Sequence, residues 1–293
     1  MGRRLRKTLK IAGWSFGGLF ALVVMFVGLL AFPGFMFAHQ LEYRNLTVYS
    51  DEDLRVGIEP VLARVDAQIA ASEINDTALE HDIYFGHANR PFRALQRAHL
   101  GLVRQLTGID RRSAINYNAS WPPHVSHVVI LDAPDAIHDA VLRDAWPGRI
   151  NMTHVLTHEV GHTLVFNKVG LGGMATLPFW KAEGYPEYIA SHTLRTVPGY
   201  SLRSSVTRVL TADLAWLRDE HGNLKSPRYN HNGGSYLKDE NGDFWHTSYY
   251  LARVLVEYSL DVKEMSFEQL ADPGVRDTEV MRELLADYAA GRL

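Results

Sequence analysis

A chain of 293 residues with 30 basic and 33 acidic side chains carries a formal net charge of −3, with no internal repeats and no long low-complexity linker. Cysteine is absent, so no disulfide stabilises the fold and any metal must be held by nitrogen and oxygen atoms. Five of the basic residues fall in the first ten positions, leaving 25 basic against 33 acidic side chains, a net charge of −8 that argues against a nucleic-acid partner.

That basic start is Arg3, Arg4, Arg6, Lys7 and Lys10, and Ile11 to Phe32 follows without a charge. At about 1.5 Å per residue, an uncharged helix of that length reaches across a hydrocarbon core of about 30 Å. The expected organisation is a cytoplasmic tail over 1–10, a transmembrane signal anchor over 11–37 and an extracytoplasmic domain over 38–293. The basic flank holds the N-terminus in the cytoplasm, which makes the domain periplasmic in a Gram-negative cell. A signal peptide cleaved near Phe37-Ala38 is the alternative. About 250 residues outside the membrane suffice for one large domain or two small lobes.

Within that domain, Pro60 opens an amphipathic helix over 60–73, with Val61, Leu62, Val65 and Ile69 on one side. Asp82 to Gly86 is a short strand. Pro91 opens a helix through Leu106, ended by Gly108, whose apolar side is Leu95, Leu102, Val103 and Leu106. Val125 to Leu131 is the next strand. His124 and His127, beside and within it, are read as non-ligands.

The run Thr153 to Phe166 contains His158-Glu159-Val160-Gly161-His162. Val155, Leu156, Val160, Leu164 and Val165 repeat with a period near 3.6 and predict a buried helix. Two histidines four apart on a helix share one face, so both imidazoles can reach a single ion. The glutamate between them lies near the ion's open side, where it can take a proton from water. Gly161 costs about 1 kcal/mol of helix propensity and fits close approach of another segment or a substrate, or tight core packing.

Further along stands Trp180-Lys-Ala-Glu183-Gly-Tyr-Pro-Glu187-Tyr188. The two motifs, in this order and at this separation, resemble those of the gluzincins, the zinc metallopeptidase clan of thermolysin and the M1 aminopeptidases. The resemblance covers about residues 125–260. It implies His158, His162 and Glu183 as zinc ligands, Glu159 as general base and Glu187 as the carboxylate that supports a ligand histidine. Pro186 departs from an undisturbed helix: either the helix begins near Gly184, with Glu183 at its N-terminal edge, or it kinks. Either way Glu187 is the substitute for Glu183 as ligand.

The resemblance further implies a zincin-like α+β fold: an active-site helix beside a small mixed sheet, a mostly helical C-terminal part, and here a transmembrane helix in front. In such folds a strand like 125–131 borders the cleft and can pair with an extended substrate; an ordinary sheet strand is the alternative. Residues 220–243, rich in Gly, Asn and Asp, are surface loops. Phe244 to Tyr258 returns to a helical pattern, with Leu251, Val254, Leu255 and Tyr258 on its core side. Tyr249, Tyr250, His246 and His231 are the candidates for steadying an oxyanion. The expected protein is a membrane-anchored zinc peptidase acting on a peptide or protein substrate. Its alternatives are a non-catalytic zinc-binding envelope module and a hydrolase of a non-peptide amide.

Overall fold

The computed structural model describes residues 2–54, 57–86, 88–107, 116–120, 125–130, 152–210 and 246–293. Its elements begin with α1 (Gly2–Ala31), a 3₁₀ turn (Pro33–Met36), β1 (His39–Tyr43), β2 (Leu46–Ser50), α2 (Ile58–Ala70), β3 (Glu80–Phe85), α3 (Arg90–Thr107), β4 (Asn116–Ser120) and β5 (Val125–Ile130). There follow α4 (Met152–Thr176), α5 (Phe179–Ala182), α6 (Gly184–Ala190), α7 (His192–Arg195), α8 (Leu202–Arg208), α9 (His246–Glu257), a π turn (Tyr258–Val262), α10 (Phe267–Ala271) and α11 (Asp277–Ala289). The class is α+β, a small mixed sheet with mainly helices. Two compact units divide the chain: Met1–Leu54 with Glu80–Ala133, and Arg55–Leu79 with Pro134–Leu293.

In the first unit, α1 stops at Ala31 because Pro33 pushes Phe32 out of the helical region, to φ −137° and ψ 62°. The expected anchor over 11–37 is thereby shortened. Among its described side chains, large apolar ones are exposed from Phe16 to Val27, while Ala31 is already buried. Among the described residues no helix is long and apolar enough to cross a membrane, so the spanning helix finds no support in the fold.

The sheet has the order β1-β2-β3-β5-β4, with β2-β3 and β3-β5 parallel and the outer pairs antiparallel. Alternation along β3 sends Ile83 and Phe85 to one face and Tyr84 to the other, and all three are buried. On the Tyr84 face, Tyr49 stacks at 4.8 Å between ring centroids, and Phe37 and Phe92 complete an aromatic cluster. β5 corresponds to the strand expected over 125–131, but it lies inside the sheet with β3 on one edge and β4 on the other. Its backbone groups are therefore taken, and it cannot add a substrate strand. His127 packs edge-on against Tyr84, with Nε2 3.7 Å from Asp82. It is a buried sheet residue.

The second unit is helical. In α4 the expected stripe holds: Leu156, Val160, Leu164 and Val165 are buried, and Val155 is half-buried. The helix is interrupted at Gly170, whose φ of 68° and ψ of 178° suit glycine alone. α2 begins at Ile58, two residues before the expected start, and turns Val61, Leu62, Val65 and Ile69 inward. Arg64 Nε on α2 donates to Thr153 Oγ1 on α4 at 3.2 Å. α9 buries Leu251, Val254 and Leu255, and Tyr258 follows in the π turn.

Candidate metal centre

Two close helix contacts set the site. A Cβ added at Gly161 on α4 would lie 2.9 Å from Pro186 Cα on α6, closer than such atoms pack. The glycine lets α6 lie against α4 at the turn between the two motif histidines. On the other side of α6, a Cβ at Gly184 would lie 2.6 Å from the Ala252 carbonyl oxygen of α9. Pro186 sits in the first turn of α6, where a missing N–H leaves no helical bond unmade. Of the two outcomes Pro186 allowed, the chain takes the first: the helix begins at Gly184 and Glu183 stands at its N-cap.

This packing brings together His158, His162 and Glu183. His162 Nε2 is 3.0 Å from His158 Nε2, and Glu183 Oε2 is 3.3 Å from His158 Nε2 and 3.2 Å from His162 Nε2. Three donor atoms thus form a nearly equilateral triangle. A tetrahedral zinc ion with ligands at about 2.0–2.1 Å spaces its ligand atoms about 3.3–3.4 Å apart, so the residues present fit such an ion closely. They could supply three ligands, of the types and number that would leave a fourth position open. Among the described residues these three are the only such group.

Glu187, one helical turn beyond Glu183, supports the cluster from behind. Its Oε1 lies 3.1 Å from His158 Nδ1, at ion-pair distance but poorly aligned for a hydrogen bond. Its Oε2 lies 3.0 Å from His154 Nε2. His154 escaped the sequence reading, although it stands four residues before His158, the same spacing that picks out His162. Burial disfavours a charged imidazolium at His158, yet contacts with Glu183 and Glu187 outweigh it and hold the ring's pKa well above the usual histidine value. Burial pushes both carboxyls upward, but the histidines beside them prevail and hold Glu183 and Glu187 well below the usual carboxylate range. The pocket therefore favours ionised carboxylates and positive charge between them.

Glu159 is half-buried on α4, about 100° around the helix from His158. Tyr249 on α9 places its ring 5.9 Å from the His158 ring and 5.5 Å from that of Phe179, at the edge of the cluster. Tyr250, the next residue, turns elsewhere: the guanidinium groups of Arg208 and Arg253 lie over its ring at 5.0 and 4.7 Å. Helical geometry separates the two phenols, so Tyr250 is not gathered with the metal donors. His246 opens α9, and its side chain lies outside the described part of the chain, as does the whole of His231.

No protein-family model, curated protein or solved structure matches this chain.

Proposed function

We propose that this protein is a zinc-dependent hydrolase of peptide bonds, built on the gluzincin plan. The observation that carries the reading is the convergence of His158, His162 and Glu183 on one point, with Glu159 in the same helix. These three residues would hold the ion, which when bound supplies a Lewis acid for the scissile carbonyl and an acidified water. Glu159 accepts the proton of the attacking water and returns it to the leaving amine. Glu187 holds the Nδ1 side of His158, which leaves Nε2 for the metal. Tyr249 is the candidate to donate a hydrogen bond to the developing oxyanion. The substrate is a peptide or a protein.

The Glu159→Gln variant tests this. It should retain zinc and lose about 10²–10⁴-fold in cleavage of a peptide library by the full chain, with chelator-sensitive activity in the parent. Full cleavage by the variant would remove the base assignment. Zinc retention without turnover in the parent would instead favour a non-catalytic zinc module, and turnover restricted to non-peptide amides would relocate the substrate.

The apolar residues that α1 leaves exposed, Phe16, Leu19, Phe20 and Leu22 to Met25 among them, support membrane attachment at this end. In this reading the zinc-binding unit is extracytoplasmic and held at the membrane by this end of the chain. Release of the full chain from membranes by alkaline carbonate would count against it.

A further inference from the structure

We propose that His154 is a positioning residue of the same centre, acting through Glu187 to fix the His158 imidazole. The inference rests on the zinc-site reading and adds to it a residue outside the gluzincin motif.

The argument begins with two rows of side chains. His154, His158 and His162 recur every four residues along α4 and so form one stripe. Glu183 and Glu187, also four apart, stand opposite at the start of α6. The rows interleave. Glu183 Oε2 lies between His162 and His158, at 3.2 and 3.3 Å. Glu187 lies between His158 and His154, with one oxygen facing each ring at ion-pair distances of 3.1 and 3.0 Å.

A carboxylate's terminal torsion is broad, so one contact alone would let Glu187 swing. Two rings on its two oxygens leave it a single orientation. That orientation puts Oε1 against His158 Nδ1 and selects the ring flip in which Nε2 points at His162 and Glu183. His154 itself sits one residue after Thr153, whose Oγ1 accepts from Arg64 on α2, so its backbone is held as well. The side chain of His154 is 21% exposed and that of Glu187 16%. Water can reach this pair, and without the His154 contact it would compete for Oε2.

The test uses the full chain in detergent. Zinc affinity is measured by competition with a chromogenic chelator, and ligand geometry by the visible absorption of the cobalt-substituted protein. His154→Leu fills the space without a donor and should weaken zinc binding about 10-fold, at the lower edge of what outer partners of a ligand contribute, with a changed cobalt spectrum. His154→Gln keeps an N–H for Glu187 and should recover most of the affinity and the parent spectrum. Wild-type affinity and spectrum in His154→Leu would overturn the inference and leave the zinc centre standing. So would equal losses in the Leu and Gln variants. Failure of the parent to bind zinc, or equal zinc in a His158→Ala/His162→Ala double variant, would instead remove the centre itself.

Discussion

Gly161→Ala probes the contact on which the whole site depends. Considered as a helix residue alone, alanine is better than glycine by about 1 kcal/mol. The added methyl, however, would meet Pro186 Cα at 2.9 Å and Cβ at 3.0 Å. Those atoms belong to a buried proline at the start of α6 and cannot rotate away. Overpacking of this kind costs about 1–3 kcal/mol, so the net change is a loss of about 0–2 kcal/mol, and α6 must shift to accommodate it. Because Glu183 and Glu187 flank Pro186, the same shift opens the donor triangle. Zinc affinity should therefore fall by more than stability does. The control is Gly172→Ala in the last part of α4, where an added Cβ has nothing within 4 Å; it should gain about 0.5–1 kcal/mol and bind zinc normally. Urea denaturation of the metal-free proteins and chelator competition give the two numbers. A Gly161→Ala protein that is about 1 kcal/mol more stable than the parent and binds zinc equally well would refute the reasoning.

Two further predictions concern regions away from the metal donors. Arg253 and Glu257 form a buried ion pair on α9, and Tyr200 shares it, accepting from Arg253 Nη1 at 3.0 Å and donating to Glu257 Oε1 at 2.5 Å; Arg253→Met should cost about 3–5 kcal/mol in urea denaturation by leaving a buried carboxylate with the Tyr200 hydrogen bond but without its cation, and a cost below about 1 kcal/mol would show the network to be idle. In the sheet, burial lowers the pKa of His127 to about 4 against a weaker opposing backbone contact with Leu30. The folded state then binds fewer protons than the unfolded chain between about pH 4 and 6.5, so stability present above pH 6.5 is lost as the pH falls through that window. The loss from this residue between pH 7.5 and 5 is about 2 kcal/mol. Asp82 beside it, whose pKa burial raises, acts in the opposite sense at lower pH. A His127→Asn variant should show a correspondingly flatter pH profile in the same denaturation assay, and an unchanged profile would contradict the assignment.

The helices were legible in the sequence where an apolar period ran through them, as in α2, α4 and α9. The pairing of His158 with His162 follows from local spacing, four positions apart on one helix, whereas Glu183, 21 positions beyond His162, was suggested by the motif resemblance and is brought beside them by packing. What the sequence left open at Pro186 the fold decides through packing, since α6 is pressed between Gly161 of one helix and Ala252 of another. The unforeseen strands β1, β2 and β4 owe their form to cross-strand partners. Asn116–Ser120 offers only Tyr117 and Ala119 in alternation with polar residues, too short a signal on its own, and is a strand by pairing with β5. The β1-β2 hairpin turns at Arg44, with φ of 55°, and Asn45, a turn without the usual glycine signal. The choice between the two roles open to β5 is settled for the same reason: which strand is the edge depends on pairing, which alternation does not record. His154 was overlooked because it becomes significant only when Glu187 is placed between it and His158.

The most direct test of the metal centre is metal analysis of the purified full chain beside its His158→Ala, His162→Ala and Glu183→Ala variants. One zinc per chain in the parent, at least tenfold weaker binding in each variant, and an unfolding transition that shifts upward with added zinc in the parent alone are the predicted results. A parent with no zinc affinity, or three variants that bind it as the parent does, would contradict the account.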